Sequence, residues 1–365
     1  MALVDFLNLR PVGKTIVDLD TPVPIIDISI VEQNVSRWQN RCNQLGLANR
    51  PHIKTHKLVG LAKYQMAQGA KGITVQKLGE AEIMADAGIT DMLLTFNVVG
   101  GMKVRRLSAL ARRTDISTMA DNTAVIENIA AAAKDAGRTI SVLVECDTGA
   151  GRNGVKSPAA AVQLAQVIDK TAGLRFGGLM TYPAIGTRQA TQDFLMDARD
   201  RCLGAGLDVG IISTGGSPDM WKDEGLSGLT EYRAGTYVYF DRSLVAKGTC
   251  GFDDCALSVL ATVVSRPTGS RAIIDAGTKA LTSDLLGLEG YGVVHGLGDA
   301  KVYAASEEHG FLDISHLDQK PNVGDHVRIT PNHVCPVSNL FDEVVFVDGD
   351  AVLGAVKVDA RGMVR

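Results

Sequence analysis

Arg50-Pro51-His52-Ile53-Lys54-Thr55-His56-Lys57 is the stretch from which the rest of the chain can be read. A short apolar strand carries a lysine near its end and a histidine two residues on, and Lys57 leads into the amphipathic run Leu58 to Ala70. Residues i and i+2 of an extended chain share a face, so Lys54 and His56 are expected to look into one space. An amine partly desolvated in a barrel mouth becomes a nucleophile able to form a Schiff base. Taken alone, a Lys-x-His triplet is a weak sign.

Outward from that stretch, apolar strand-like runs alternate with helical patterns. Val23-Ile28 precedes a helix over Ile30-Leu45, Pro51-Thr55 precedes Leu58-Ala70, Gly72-Gln76 precedes Gly79-Ala87, and Met92-Phe96 precedes Met102-Arg113. Ile116-Met119 is followed by Thr123-Ala136, Ile140-Asp147 by Ala159-Thr171, and Phe176-Tyr182 by Ala190-Gly204; Val209-Thr214 completes a set of eight strands. Strands alternating with helices of about 10 to 15 residues imply right-handed crossovers and a parallel sheet. Eight such units predict an α/β fold with a closed (β/α)8 TIM-type barrel. Gly69, Gly88, Gly137 and Gly206 fall where helix ends want a left-handed residue.

After about residue 245 the pattern changes to short β-rich runs, Ala256-Ser265, Arg271-Ala276, Lys301-Ala304, His326-Thr330, Val344-Val347 and Ala351-Val358, with no long helical pattern between them. The expected organisation is a barrel over residues 20–243 and a C-terminal antiparallel β-domain over 244–365, completed by the N-terminal segment 1–19.

Composition excludes several function classes. The chain has 365 residues, 45% hydrophobic and 21% charged, a net charge of −4 and six cysteines. Its pI near 6.0 and mean hydropathy of +0.09 are those of an ordinary globular protein. Without a dense basic block, neither nucleic acid nor an anionic membrane is an expected partner. No segment approaches the roughly 18 uninterrupted apolar residues of a membrane span, and no signal peptide is evident, so a cytoplasmic location is expected. The scattered cysteines read as reduced thiols.

Barrel enzymes work at the C-terminal ends of their strands. Lys54, Gln76, Asn97, Asp147 to Arg152, Tyr182 and Ser213 to Ser217 fall there. The run Ser213-Thr214-Gly215-Gly216-Ser217 combines hydroxyls with glycines that let backbone approach a phosphate closely. Glu145 to Gly154 ends a strand in a glycine-rich loop presenting Arg152, whose guanidinium can bond a ring nitrogen or a carboxylate. In the C-terminal part, His333-Val334-Cys335 reads as extended, which would put an imidazole and a thiolate on one face as metal ligands.

Together these pieces resemble the fold-type III pyridoxal-phosphate enzymes, the alanine racemase-like group, and within it the D-threonine aldolase and D-serine dehydratase family. The resemblance is carried by PHIKTHK (51–57), QKLGEAE (76–82), ECDTGAGRNGV (145–155), GLMTY (178–182), STGGS (213–217), RAGTYVYFD (233–241), IIDAGTK (273–279) and PNHVCPVSNL (331–340). It implies that Lys54 holds pyridoxal 5'-phosphate through its ε-nitrogen, that Arg152 faces the pyridine nitrogen, and that Tyr182 borders ring and substrate. Ser213, Thr214, Gly215, Gly216 and Tyr239 would surround the phosphate, with Gln76 and Asn97 on the pocket wall. His333 and Cys335 would bind a divalent metal, zinc or manganese.

The activity the resemblance implies is metal-assisted retro-aldol cleavage of a D-β-hydroxy-α-amino acid to glycine and an aldehyde. The alternative is β-elimination from D-serine or D-3-hydroxyaspartate to a 2-oxo acid and ammonia, and the third reading is an amino-acid racemase. His-x-Cys is similar to the zinc-dependent dehydratases, whereas the aldolases usually carry His-x-Asp. Tyr182-Pro183-Ala184-Ile185-Gly186 lacks the histidine that family members tend to carry after this tyrosine. His56 or a metal-bound hydroxide is then the candidate base. A non-catalytic pyridoxal-phosphate carrier would lack the C-terminal β-domain. Relatives also imply a homodimer.

Overall fold

Successive strands hydrogen-bond edge to edge in the computed structural model, which describes residues 1–222, 225–297 and 300–365. Ala48–Asn49, Ile73–Val75, Asp91–Leu94, Asp115–Ala120, Ile140–Cys146, Leu174–Thr181, Ile211–Gly215 and Glu231–Arg233 form an eight-stranded parallel sheet. From the second member on, each strand pairs with the next in sequence, and Ala48 pairs with Glu231 at the far edge. The remaining seam is joined by a parallel bridge between His52 and Thr74, where the Thr74 N–H donates to Pro51 O at 2.8 Å. The expected eight-stranded barrel is thus present.

Its membership differs from expectation at both ends. Val23–Asp27 is not a barrel strand; it pairs antiparallel with Leu257–Leu260 and parallel with Val345–Val347 in a second sheet. The eighth barrel strand is Glu231–Arg233 instead. A three-residue strand with two charged side chains carries no apolar signal, and it forms because buried partners satisfy both charges.

This sheet belongs to a compact unit comprising Trp38–Lys54, Gln65–Gly235 and Met363–Arg365; the other unit comprises Met1–Arg37, Thr55–Tyr64 and Thr236–Gly362. Segments 20–37, 55–64 and 236–243, placed with the barrel by sequence, accordingly group with the second unit.

Inside the barrel, Leu93, Met119, Leu143 and Met180 form an apolar cluster against Ile211. Two residues further along their strands the inward face turns polar, from Leu143 to Glu145 and from Ile211 to Ser213. The helices around it start and stop where the sequence says. Asn122 accepts from the Val125 N–H to cap Thr123–Ala136, and Gly137 ends that helix at φ +65°. Gly69, Gly88 and Gly206 also take positive φ at helix ends.

In the second unit, Leu257–Thr268 is the hub, pairing with Val23–Asp27, Arg271–Ile274 and His326–Pro331. Every β-run expected after residue 245 is a strand, and Gly292–Val294 and Gly310–Asp313 join them. The N-terminal segment completes this sheet as expected: Arg10, Val12 and Ile16 donate to Leu353 O, Val352 O and Asp350 O. Ile25, Leu260, Val345, Val347 and Val352 form its core, with Ile16, Leu19 and Val23 packed on it. Burying side chains of this size contributes about 1.5–3 kcal/mol each. Among the described residues, no helix is long and apolar enough to cross a membrane.

Candidate active site

Lys54 sits in a 3-10 turn, Ile53–Thr55, and not on a strand. The strand itself ends at Asn49, although its ladder continues as Arg50 N–H to Tyr232 O at 3.0 Å and His52 N–H to Ala234 O at 2.9 Å. The i, i+2 argument for Lys54 and His56 therefore does not apply. His56 is buried, and its Nδ1 accepts from the Leu58 N–H at 3.0 Å. The histidine beside Lys54 on the barrel side is His52. Its Nδ1 accepts from the Lys54 N–H at 3.4 Å, and its Nε2 lies 3.0 Å from Gln76 Oε1. Burial, and then the positive charge of Lys54, hold the His52 imidazole well below its ordinary range, so it is neutral. Gln76 in turn donates to Thr95 O at 3.0 Å. Both ends of the Gln76 amide are thus engaged in holding the turn of Lys54.

The Arg152 loop is shaped by two carboxylates. Asp147 accepts from the Gly149 and Gly151 N–H groups at 3.1 and 3.0 Å. Asp121 accepts from the Gly154 N–H at 3.1 Å and from Asn97 Nδ2 at 3.0 Å. Asn97, expected on a pocket wall, thus anchors the loop. Gly154 has φ +118°, and a Cβ there would lie 2.5 Å from Asp147 N, so only glycine fits. The loop leaves the Arg152 guanidinium 5.1 Å from the centre of the Tyr182 ring, a cation–π contact on an exposed tyrosine. Arg152 and Tyr182 are brought together as neighbours.

The STGGS run divides into committed and uncommitted groups. Ser213 is fully buried; its hydroxyl donates to Glu231 Oε1 at 2.7 Å and accepts from Arg233 Nη1. Thr214 is also buried. The Gly216 N–H donates to Arg233 O at 3.3 Å, and Gly216 O accepts from Tyr232 Oη at 2.8 Å. Gly216 has φ +109°, and a Cβ on Gly215 would lie 2.6 Å from Arg233 O. Ser217 Oγ is buried with no hydrogen-bond partner. An unmet hydroxyl beside a glycine turn suits an anionic phosphate, which would accept from it. The residues present thus fit the phosphate end of the cofactor, with the Ser217 hydroxyl uncommitted and that of Ser213 engaged by Glu231.

Beneath this run lies a charged network that the sequence reading missed. Arg50 bonds Glu231 at 2.7 Å and Asp91 at 2.6 Å, and Arg233 Nη2 donates to Thr181 O at 2.8 Å. Burial pushes the Glu145 carboxyl up to about 7, against the pull of Arg233 and then Arg152, and its Oε2 has no partner. The only sequence signal for these groups was charge at inward-facing strand positions.

In the second unit, Tyr239 follows the 3-10 turn Thr236–Val238 and is buried. Burial, reinforced by the Cys335 charge, raises its phenol far above the usual range, so it stays a donor. His333-Val334-Cys335 is not extended: His333 is the N-cap of the helix Val334–Leu340. The two side chains nevertheless lie near enough for the Cys335 sulfur to act on the imidazole. Asp284 Oδ2 lies 2.6 Å from His333 Nδ1, and Thr55 Oγ1 lies 3.2 Å from Cys335 Sγ. Asp241 caps the helix start by accepting from the Val334 N–H at 3.2 Å. Burial lowers His333, yet its contacts with Cys335 and then Asp284 carry it up to about 9.

Among the described residues, no group of three or more His, Cys, Asp or Glu side chains has the geometry to enclose a metal. The donor set instead fits an open site: one imidazole oriented from behind by a carboxylate, one sulfur, and remaining positions for water or substrate oxygen.

Comparison with known proteins covers both units. The alanine racemase N-terminal domain model matches residues 26–243, and a serine dehydratase-type domain model matches residues 256–347. A D-threonine aldolase from Arthrobacter sp. is 33% identical over 97% of this chain and 96% of its own. A D-threo-3-hydroxyaspartate dehydratase from Delftia sp. is 34% identical over 90% and 94%. The crystal structure of D-threonine aldolase from Filomicrobium marinum superposes with a TM-score of 0.89 at 31% identity, covering 98% of this chain and 99% of that one.

Proposed function

The chain belongs to the family that joins an alanine racemase N-terminal domain to a serine dehydratase-type domain, and from that premise we propose that it cleaves D-β-hydroxy-α-amino acids to glycine and an aldehyde. Its class is that of the pyridoxal 5'-phosphate-dependent lyases. When bound, that cofactor supplies an electron sink conjugated to the substrate α-carbon.

The protein's own residues divide the remaining work. Lys54 would provide the amine that holds the cofactor, its turn fixed by the His52–Gln76–Thr95 chain. Arg152 would supply a guanidinium for the ring nitrogen, to which it can only donate. Ser217 would donate to the phosphate. His333 and Cys335 would hold a divalent cation, which would supply positive charge for the substrate's β-oxygen, zinc suiting the sulfur better than manganese. With an apolar run after Tyr182, no side chain there can take the hydroxyl proton. His56 is not placed to take it either, because its Nδ1 is engaged with the Leu58 N–H, so the proton would pass to solvent beside His333 and Cys335.

The observation that carries this reading is the imidazole–sulfur pair backed by Asp284, since a substrate needs a β-oxygen to use it. The sulfur itself favours a second reading, β-elimination to a 2-oxo acid, in which the cation helps hydroxide depart. We also propose that the enzyme works as a homodimer, which sedimentation velocity would test.

Incubation of the purified, cofactor-loaded protein with D-threonine, D-serine and D-3-hydroxyaspartate, with and without chelator, tests the assignment. Glycine with the matching aldehyde, lost on chelation and restored by added metal, is the expected result. A 2-oxo acid with ammonia would establish elimination instead. The L-enantiomer alone would overturn both.

A further inference from the structure

Cys250 and Cys255 stand at the two ends of a tight turn in the second unit, built on the 3-10 segment Phe252–Asp254. The turn closes on itself: Asp254 N–H donates to Gly251 O at 3.2 Å, Cys255 N–H donates to Phe252 O at 3.0 Å, and the Gly251 N–H donates to Asp254 Oδ2 at 2.9 Å. This folding returns Cys255 Sγ to 3.7 Å from Gly251 O, the carbonyl of the residue that follows Cys250. Cys250 is half-buried, while Cys255 is only 5% exposed. The other thiols differ: Cys42, Cys146 and Cys202 are buried, and Cys335 contacts Thr55 and His333.

The turn is anchored on the Cys255 side. Asp254 O accepts from Asn34 Nδ2 at 2.8 Å, and Asp254 Oδ1 pairs with Arg37 at 2.5 Å. Next in the chain, the Ala256 N–H donates to Tyr239 O at 2.7 Å, while Ala256 O accepts from the Asp27 N–H at 2.9 Å. The backbone following Cys255 therefore supports Tyr239 directly.

We propose that Cys250 and Cys255 form a reversible dithiol–disulfide site that takes low-molecular-weight disulfides, with Cys250 the entry thiol and Cys255 the resolving thiol, and that its closure acts on the backbone support of Tyr239. With oxidised glutathione, the Cys250 thiolate attacks one sulfur, a mixed disulfide forms and one glutathione thiolate leaves. Cys255 gives its proton to solvent and attacks the Cys250 sulfur, and the second glutathione leaves. Two protein thiols lose two electrons, and the reagent becomes two thiols. Cys250 is the entry point because it alone of the pair faces solvent. The Cys250 thiol, and then burial, push the Cys255 thiol up and keep it out of the first step. Closure draws the Cys255 backbone toward Cys250 and lengthens the Ala256–Tyr239 hydrogen bond.

Equilibrating the holoenzyme with oxidised glutathione, alkylating the remaining thiols and mapping the protein by mass spectrometry tests the site. Cys250 and Cys255 are expected to escape alkylation together, without retained glutathione, and to recover in dithiothreitol. In Cys255→Ser, glutathione should stay on Cys250; in Cys250→Ser, Cys255 should remain alkylatable. Hydrogen exchange at the Ala256 amide should rise on the order of tenfold on oxidation, as expected for the loss of one hydrogen bond. Stable glutathione on wild-type Cys250, or two thiols that never react, would overturn the site. Disulfide formation with unchanged Ala256 exchange would overturn its coupling to Tyr239. None of these readouts depends on the lyase reaction, so failure here leaves the proposed function standing.

Discussion

Ser213 and Ser217 lie four residues apart in one run, yet their hydroxyls have opposite fates: one is shared by Glu231 and Arg233, and the other is buried and unmet. A hydrogen bond to a charged group contributes about 1.5–3 kcal/mol. Ser217→Ala should therefore weaken pyridoxal-phosphate binding by about tenfold or more, read by absorbance titration, with little change in melting temperature. Ser213→Ala should lower the melting temperature, because it removes a shared partner from two buried charges. The same reasoning applies to Asp284, whose contact with His333 Nδ1 fixes the ring for a cation. Asp284→Ala should cut metal affinity about 10- to 100-fold, measured by competition with a chromogenic chelator, while Lys54 still takes up the cofactor. These residues mark how far the sequence could be read at this scale. Lys54, Arg152, Tyr182, His333 and Cys335 stood out as candidates by residue type, at expected strand ends and in motifs. Asp284, Ser217 and His52 did not, because what distinguishes them is an orphaned hydroxyl or contacts that only the fold creates.

Among the elements, the strand Glu231–Arg233 was invisible to hydropathy, and Val23–Asp27 was legible as a strand but not as a member of the wrong sheet. An apolar five-residue run records that it is buried, not which neighbour buries it. The Lys54 turn and the His333 helix were both read as extended for a related reason: each is a short segment without a helical period of its own, and the helix start is fixed by a residue remote in sequence, Asp241. The barrel helices, by contrast, carried their own apolar periodicity, two of them with side-chain caps at Asn122 and Ser157, and were placed to within a few residues. Closure of the barrel by a strand bearing charges makes its buried pairs structural. Glu231 bonds both Arg50 and Ser213, and the Arg50 side chain is 5% exposed against 2% for Glu231. Glu231→Gln should destabilise the protein by about 3–5 kcal/mol, because it leaves Arg50 short of a buried counter-charge. The exposed pair Arg138–Asp115, at 3.5 Å, supplies the contrast. Asp115→Asn should change stability by about 1 kcal/mol or less, both variants being compared by urea unfolding.

The molecule as a whole carries a net charge of −4, and most of its ion pairs lie on the surface, so its stability near neutral pH turns on the few ionisable groups kept from water. Glu145 is the clearest of these: burial lifts its carboxyl from 4.5 to about 7, against the opposing charges of Arg233 and Arg152. Between those two values the folded protein holds a proton that the unfolded chain has released. Stability from this group is therefore complete below about 4.5 and is lost as pH rises toward 7, the reverse of a carboxylate held by a salt bridge. The shift corresponds to about 3 kcal/mol over the window. Glu145→Gln keeps the shape and cannot ionise. The difference in unfolding free energy between variant and wild type should accordingly move in favour of the variant as pH increases from 5 to 8, and level off above that, when followed by urea denaturation of the same cofactor-loaded protein. A difference that stays constant across the series would mean that Glu145 is ionised in the folded barrel throughout, its charge balanced by Arg233.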